Sequence, residues 1–226
     1  MDIIILCGGL GTRLKKISRG IPKPLIPINK NVVFLDILLR SIKKISAGKI
    51  FLSLFYKPHL FKEFVNQKNL NVNLVIEKKK LGTGGAIKNV IYKKKISNSF
   101  IVINGDTLLF NYNLKNFFRF YFLNKKSSIL TCRIKKNTRY GNIIVNKRGE
   151  VISFLEKKKN INTIVNMGLY IFNKKDFFIK KKVFSLEKYL LPKMVKKKKL
   201  MAYLTKKNFI DIGIPRDLEI LRKHHN

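Results

Sequence analysis

Residues 3–14 read IIILCGGLGTRL. The unbroken apolar run at 3–7 is what a strand covered on both faces looks like. It passes directly into Gly8, Gly9 and Gly11, then Thr12 and Arg13. In doubly wound sheets, ligands bind beyond the carboxyl ends of the strands. Glycines there let the backbone approach a ligand and adopt positive φ. Successive backbone N–H groups can then form an anion nest, and an arginine adds a planar fork for phosphate oxygens. The stretch therefore predicts an α/β fold with a phosphate cradle after its first strand. It is not a P-loop, because G-x-x-x-x-G-K-[ST] is absent. It is not a dinucleotide fingerprint either, because the third glycine would fall at Leu14.

The rest of the chain repeats the strand-then-helix rhythm. Strands are expected at 49–55, 71–76, 100–104 and 127–132. Helices are expected at 34–45, 58–67, 83–92 and 114–123, from apolar spacing and, at 58, a leading proline. After Tyr140 the pattern changes: 142–145 and 151–155 read as a hairpin about a Lys147-Arg148-Gly149 turn. Further strands are expected at 165–172, 200–204 and 209–211, and helices at 185–195 and 215–223. Repeated βα units imply a mostly parallel sheet with right-handed crossovers, and the hairpin implies antiparallel additions.

The 226 residues suffice for a sizeable core, and 46% are hydrophobic, so the composition is globular. No apolar run reaches the ~18 residues of a membrane span. The apolar run before the first glycine is only five residues long, and Asp2 stands ahead of it, unlike a signal peptide. Cys7 and Cys132 lie in apolar, strand-like segments and read as small core residues of a reducing, cytoplasmic protein. Net charge is the anomaly: 49 Lys+Arg against 12 Asp+Glu gives +37. The lysines come in scattered runs, at 78–80, 93–95, 157–159, 180–182 and 196–199. Such dispersal fits solvated faces better than a nucleic-acid site.

A second feature narrows the cradle. Pro22-Lys23-Pro24 fixes the backbone around one lysine, so its ammonium can be aimed with little entropy loss. GGLGTRL followed by PKPLIPI resembles the sugar-1-phosphate nucleotidylyltransferases, also called sugar-nucleotide pyrophosphorylases. The resemblance continues through LGTGGAIKN (81–89), VINGDTLL (102–109), RYGNI (139–143), FLEKK (154–158), NMGLY (166–170) and FIDIGIP (209–215). Within that family, GTGGAIKN, NGDT, FSLEKYLLPK and FIDIGIPRD look most like the D-glycero-D-manno-heptose 1-phosphate guanylyltransferases.

The resemblance implies a Rossmann-like nucleotidyltransferase fold, a mostly parallel mixed sheet flanked by helices, in one domain. Residues 1–125 would mainly bind nucleotide; 126–226, rich in β-hairpin, would mainly bind sugar phosphate. It implies a reaction in which a sugar 1-phosphate oxygen attacks the α-phosphorus of a nucleoside triphosphate and pyrophosphate leaves. That nucleophile is already anionic, so the task is positioning and charge stabilisation rather than base catalysis. By resemblance, Arg13 contacts the triphosphate and the developing charge, Lys23 pairs with phosphate near the reacting centre, and Gly8, Gly9, Gly11 and Thr12 cradle the nucleotide. Asp106, next to Gly105, and Asp211, two residues before Gly213, each at a strand end, match the family's magnesium-binding pair; read alone, each would pass for a turn aspartate. Gly82 and Thr83 fall beside the nucleobase. Glu77 reads either as an acceptor for the N1–H and amino group of guanine, or as an exposed ion-pair partner of the 78–80 lysines. Glu156 and Lys157 match a pair holding the sugar hydroxyls and sugar phosphate, with Gly141, Asn166 and Gly168 lining the sugar pocket.

The expected partners are a nucleoside triphosphate, GTP by preference, and a sugar 1-phosphate, with no membrane partner; a homo-oligomer stays open. Mannose 1-phosphate, or a hexose 1-phosphate with UTP, CTP or dTTP, is the alternative within the class. A basic nucleic-acid-binding protein is the alternative outside it.

Overall fold

The computed structural model describes residues 1–11, 14, 18–43, 48–110, 114–137, 140–155, 160–206 and 209–224. Its strands are β1 (Asp2–Leu6), β2 (Ile50–Leu54), β3 (Asn73–Ile76), β4 (Ser99–Asn104), β5 (Thr107–Leu109), β6 (Ser127–Asn137), β7 (Asn142–Val145), β8 (Val151–Leu155), β9 (Asn160–Asn173), β10 (Leu200–Thr205) and β11 (Phe209–Asp211). Its helices are α1 (Phe34–Lys43), α2 (Pro58–Gln67), α3 (Gly82–Lys93), α4 (Lys115–Asn124), α5 (Leu191–Lys196) and α6 (Pro215–Lys223).

Among the described residues, nine strands share one sheet, whose main path runs β10-β6-β9-β4-β1-β2-β3. β3, β2, β1 and β4 are mutually parallel, and β9 enters antiparallel between β4 and β6. The β7–β8 hairpin joins through β7 at the Asn142–Val165 pair. This mixed, mostly parallel architecture is the expected one. β1 lies inside the sheet between β4 and β2, and Ile3, Ile4 and Ile5 are all fully buried. Successive residues point to opposite faces. Ile3 and Ile5 meet a core built with α1, α2, α4 and α6, whereas Ile4 meets one built with α3 and α5. That two-sided cover is why the run is apolar without alternation.

At the start of β1, buried Asp2 accepts from the Lys49 N–H at 2.9 Å and the Ser97 N–H at 2.7 Å. Burial pushes its carboxyl up, but these donors and the Ser97 hydroxyl outweigh that and hold it below the usual aspartate range.

The structure corrects the expected elements in three places. β6 and β9 outrun 127–132 and 165–172, because they pair with each other as far as Asn137–Asn160. Arg133 and Lys135 are exposed there, so backbone pairing continues where the apolar signal has ended. β5 was not anticipated; it has three residues and pairs with β11 alone. The segment expected as one helix over 185–195 opens as a π turn, Leu186–Leu190, before α5. The change of winding falls just before Pro192, which has no N–H to give the preceding turn.

Candidate active site

The carboxyl ends of β1, β2, β3 and β4 open onto a cavity of about 310 Å³. Gly8, Gly9, Gly11, Lys23, Glu77, Gly82, Thr83 and Asp106 all line it. The residues expected to meet the nucleotide are therefore gathered in one place, apart from Thr12 and Arg13, which lie outside the described residues. Glu156 and Lys157 lie outside them too.

Two glycines of the first loop sit in tight places. Gly11 has φ +63°, and a Cβ there would stand 3.3 Å from Lys23 Cγ. Gly8 lies so close to β3's end that a Cβ would stand 3.3 Å from Glu77 Oε1. Lys23 begins a short 3-10 turn, Lys23–Leu25, after extended Pro22. Its Nζ donates to Asp106 Oδ2 at 2.8 Å, and the two side chains are only 12% and 29% exposed. The sequence placed these residues in separate roles, but the structure makes them one ion pair.

Asp106 follows Gly105, whose N–H donates to the Leu6 carbonyl at 3.0 Å. A Cβ on Gly105 would lie 2.6 Å from that oxygen, so β1 and the Asp106 turn approach as only glycine allows. Asp211 is brought alongside by the β5–β11 ladder: it pairs with Thr107, and the Ile212 N–H donates to the Asp106 carbonyl at 3.0 Å. Asp211 Oδ1 accepts from the Gly213 N–H at 2.7 Å, which orients the carboxylate. The backbones of the two acidic positions are thus neighbours, although 105 residues of sequence separate positions 106 and 211.

Glu77 is 7% exposed, so the surface ion-pair reading does not hold. Its Oε2 accepts from the Leu81 N–H at 3.0 Å, and its Oε1 faces the Ser53 hydroxyl at 3.5 Å. Burial pushes its carboxyl above the ordinary glutamate range, against the pull of Leu81, Ser53 and Lys93.

Asn166 and Gly168 lie next door, in an irregular stretch of β9. Between Ile129–Tyr170 and Thr131–Asn166, β6 advances two residues while β9 advances four. Gly168 takes φ +74° in this bulge, and a Cβ would stand 2.8 Å from Asn104 Nδ2 and 3.0 Å from Thr107 Oγ1. Asn166 holds the bulge: its Oδ1 accepts from the Gly168 N–H at 2.9 Å, and its Nδ2 donates to the buried Tyr170 hydroxyl. The exposed Gly141 immediately precedes β7, which meets β9 at Val165. Gly168 borders the acidic turn through Asn104 and Thr107, and none of Gly141, Asn166 and Gly168 lines the cavity itself.

Gly168→Ala is expected to lower Tm by several degrees, because φ +74° strains any L side chain. It should also lower kcat about tenfold, since Asn104 and Thr107 must move beside Asp106 and a misplaced group costs rate. Thermal melts and steady-state rates check both parts.

Sequence reading missed Asn104, Ser53, Lys80 and Glu187, all of which line the cavity. Lys80 was hidden in a lysine run. Glu187 had a visible signal, following Ser185 at a helix start: its Oε2 accepts from both Ser185 and Thr83 hydroxyls at 2.8 Å. Asn104 and Ser53 are ordinary strand residues whose neighbours appear only on folding.

The family model for nucleotidyl transferases matches residues 2–225. The chain belongs to that family. This nucleotidyltransferase is similar to a D-glycero-alpha-D-manno-heptose 1-phosphate guanylyltransferase of Campylobacter jejuni, 39% identical over 225 residues that cover 96% of each chain. It is 35% identical to the protein of the same name from Aneurinibacillus thermoaerophilus, covering 99% of this chain and 97% of that one. The nucleotidyltransferase superposes on HddC of Yersinia pseudotuberculosis with a TM-score of 0.89, at 36% identity, covering 100% of this chain and 99% of that one. A structure of HddC complexed with GMP-PN superposes at TM-score 0.87. Among the described residues, no helix of the nucleotidyltransferase is long and apolar enough to cross a membrane.

Proposed function

We propose that the protein joins GTP to a heptose 1-phosphate, D-glycero-D-manno-heptose 1-phosphate by preference, and releases pyrophosphate. The observation that carries this reading is the single cavity uniting the glycine loop, Lys23, Asp106 and buried Glu77. Similarity to two heptose 1-phosphate guanylyltransferases over nearly their whole length supports the substrate pair.

In this reaction a phosphate oxygen of the sugar 1-phosphate forms a bond to the α-phosphorus. The bond from that phosphorus to the pyrophosphate oxygen breaks, and pyrophosphate leaves as an anion. The chain's work is to hold two polyanions together and stabilise the spreading charge. Gly8, Gly9, Gly11 and Thr12 offer backbone N–H groups to the triphosphate, and Arg13 adds its guanidinium. Lys23, paired with Asp106 at 2.8 Å before substrate arrives, exchanges that carboxylate for phosphate oxygens. Glu156 and Lys157 take the sugar hydroxyls and sugar phosphate, with Gly141, Asn166 and Gly168 alongside.

The donor set fits magnesium. Asp106 and Asp211 offer hard carboxylate oxygens from adjacent backbones, and the described residues hold no group of three or more His, Cys, Asp or Glu that would make an all-protein cage. Magnesium is commonly held by one or two carboxylates plus substrate phosphates. When bound, it would neutralise phosphate charge.

Glu77 is the guanine reader in this proposal, accepting from the base's N1–H and amino group. Glu77→Gln should reduce kcat/KM for GTP by about 10–100-fold, the value of a hydrogen bond to a charged acceptor. The stability effect has the opposite sign. A carboxyl raised on folding favours the folded state below the ordinary glutamate range and loses that contribution as pH rises. The variant should therefore melt higher than the parent at pH 7, with the gap closing as pH falls towards 4.5. Melting curves of both proteins across that range check it. Pyrophosphate release across a matrix of nucleoside triphosphates and sugar 1-phosphates tests the proposal as a whole. Preference for another base or another sugar phosphate would overturn it.

A further inference from the structure

On the side of α3 away from the catalytic cavity lies a second groove, of about 710 Å³, between that helix and residues 178–182. Its origin is in the glycines. Gly84 and Gly85 let residues 182–184 press onto α3: both N–H groups donate to the Phe184 carbonyl at 3.1 Å, and the Phe184 N–H returns to the Leu81 carbonyl at 2.9 Å. Over the next two turns the helix lines the groove with Lys88, Asn89 and Tyr92.

The lining is chemically one-sided. Lys88, Lys180 and Lys182 contribute cations, and among the described residues no carboxylate lines the groove. Lys88 is only 9% exposed, a costly position for an ammonium. Its Nζ donates to the Ile179 and Lys181 carbonyls, which leaves one of its three N–H donors to spare. Asn89 Nδ2 is buried with no hydrogen-bond partner among the described residues, the kind of orphan that is costly if nothing meets it. At the rim, the Tyr92 and Phe178 rings are each 65% exposed. Lys88 Nζ stands 5.4 Å from the Tyr92 ring centroid.

We propose that this groove is a second ligand site, taking a nucleoside polyphosphate: phosphate oxygens on the lysines and Asn89, the base against Tyr92 and Phe178. A lone inorganic anion would leave both rings bare, and an uncharged aromatic would leave the lysines and the amide unmet. The site is wired to the catalytic cavity. Leu81 borders the groove, while its N–H is held by Glu77, which lines the other cavity. Occupancy here bears on the α3 amino terminus that carries Gly82 and Thr83.

The inference does not rest on the base or sugar proposed above. Its test is calorimetric titration of the full chain with GDP and with ADP at about 0.3 M salt, where diffuse attraction to a basic surface is screened. The comparison is the double variant Tyr92→Ser/Lys182→Glu, both exposed positions outside the catalytic cavity. The expected result is a binding event present in the parent and weakened at least tenfold in the double variant, with tripolyphosphate binding at least tenfold less tightly than the nucleotides. A circular dichroism melt matching the parent's shows that the variant is folded. No event sensitive to the double variant, or tripolyphosphate equal to the nucleotides, overturns the site. Because GDP and a GDP-sugar share the groups recognised, GDP-mannose is titrated alongside: comparable affinity shows that the nucleotide moiety suffices, and binding by the sugar nucleotide alone overturns the assignment to a free nucleotide.

Discussion

Replacing Asp106 by asparagine is expected to lower kcat by at least about 10³ at every magnesium concentration tried, with Tm within a few degrees of the parent. The two halves of this expectation have different sources. The turn is held by backbone bonds, Gly105 N–H to the Leu6 carbonyl and Ile212 N–H to the Asp106 carbonyl, each at 3.0 Å, and asparagine leaves both in place. The fold should therefore survive. What is lost is a negative charge in the cavity, and with it both the proposed metal ligand and the partner that aims Lys23. Removing one preorganised electrostatic group in an active site costs about 10²–10³, and this change disturbs two. Steady-state rates across a magnesium titration are the measurement. Turnover within tenfold of the parent at saturating metal would remove Asp106 from the mechanism.

Lys23→Ala should lower kcat by about 10²–10³, the loss expected when one charge-stabilising donor is deleted. The ammonium is held by the 2.8 Å pair with Asp106 and its backbone by Pro22 and Pro24, so little entropy would be lost on replacing the carboxylate by phosphate. Lys23→Arg should restore little. Gly11 curves so close to the alkyl stem of Lys23 that an added Cβ would stand 3.3 Å from Cγ, and a planar guanidinium does not present its charge as a compact ammonium does. An arginine variant near parental activity would show that charge alone is needed, with no defined direction. Stability should change modestly in both variants, as for a partly exposed ion pair. Single-turnover rates, compared with melts of the same samples, separate the two effects.

The legible parts of this protein were those written in short stretches. The run 3–7, the glycines after it, Pro22-Lys23-Pro24 and the apolar spacing of 58–67 each act over a few residues, where sterics and amphipathicity decide the outcome. α2 begins and ends at the expected residues, and β2 and β4 fall within one residue of their expected bounds at each end. Signals failed where stability came from a partner distant in sequence. β5 is too short to show a pattern of its own and exists because β11 lies across it. The outer halves of β6 and β9 are polar and exist because they pair with each other.

The site follows the same division. The sequence by itself determined which side chains carry charge and which backbone positions are free to curve round an anion, because those properties belong to residue type and near neighbours. Only the tertiary structure decided that Lys23 meets Asp106 across 83 residues, that Glu77 is buried against Gly8, and that Gly168 presses on the acidic turn. Those contacts depend on strand order and register, and register is set by the summed burial of a whole sheet rather than by any local run of residues.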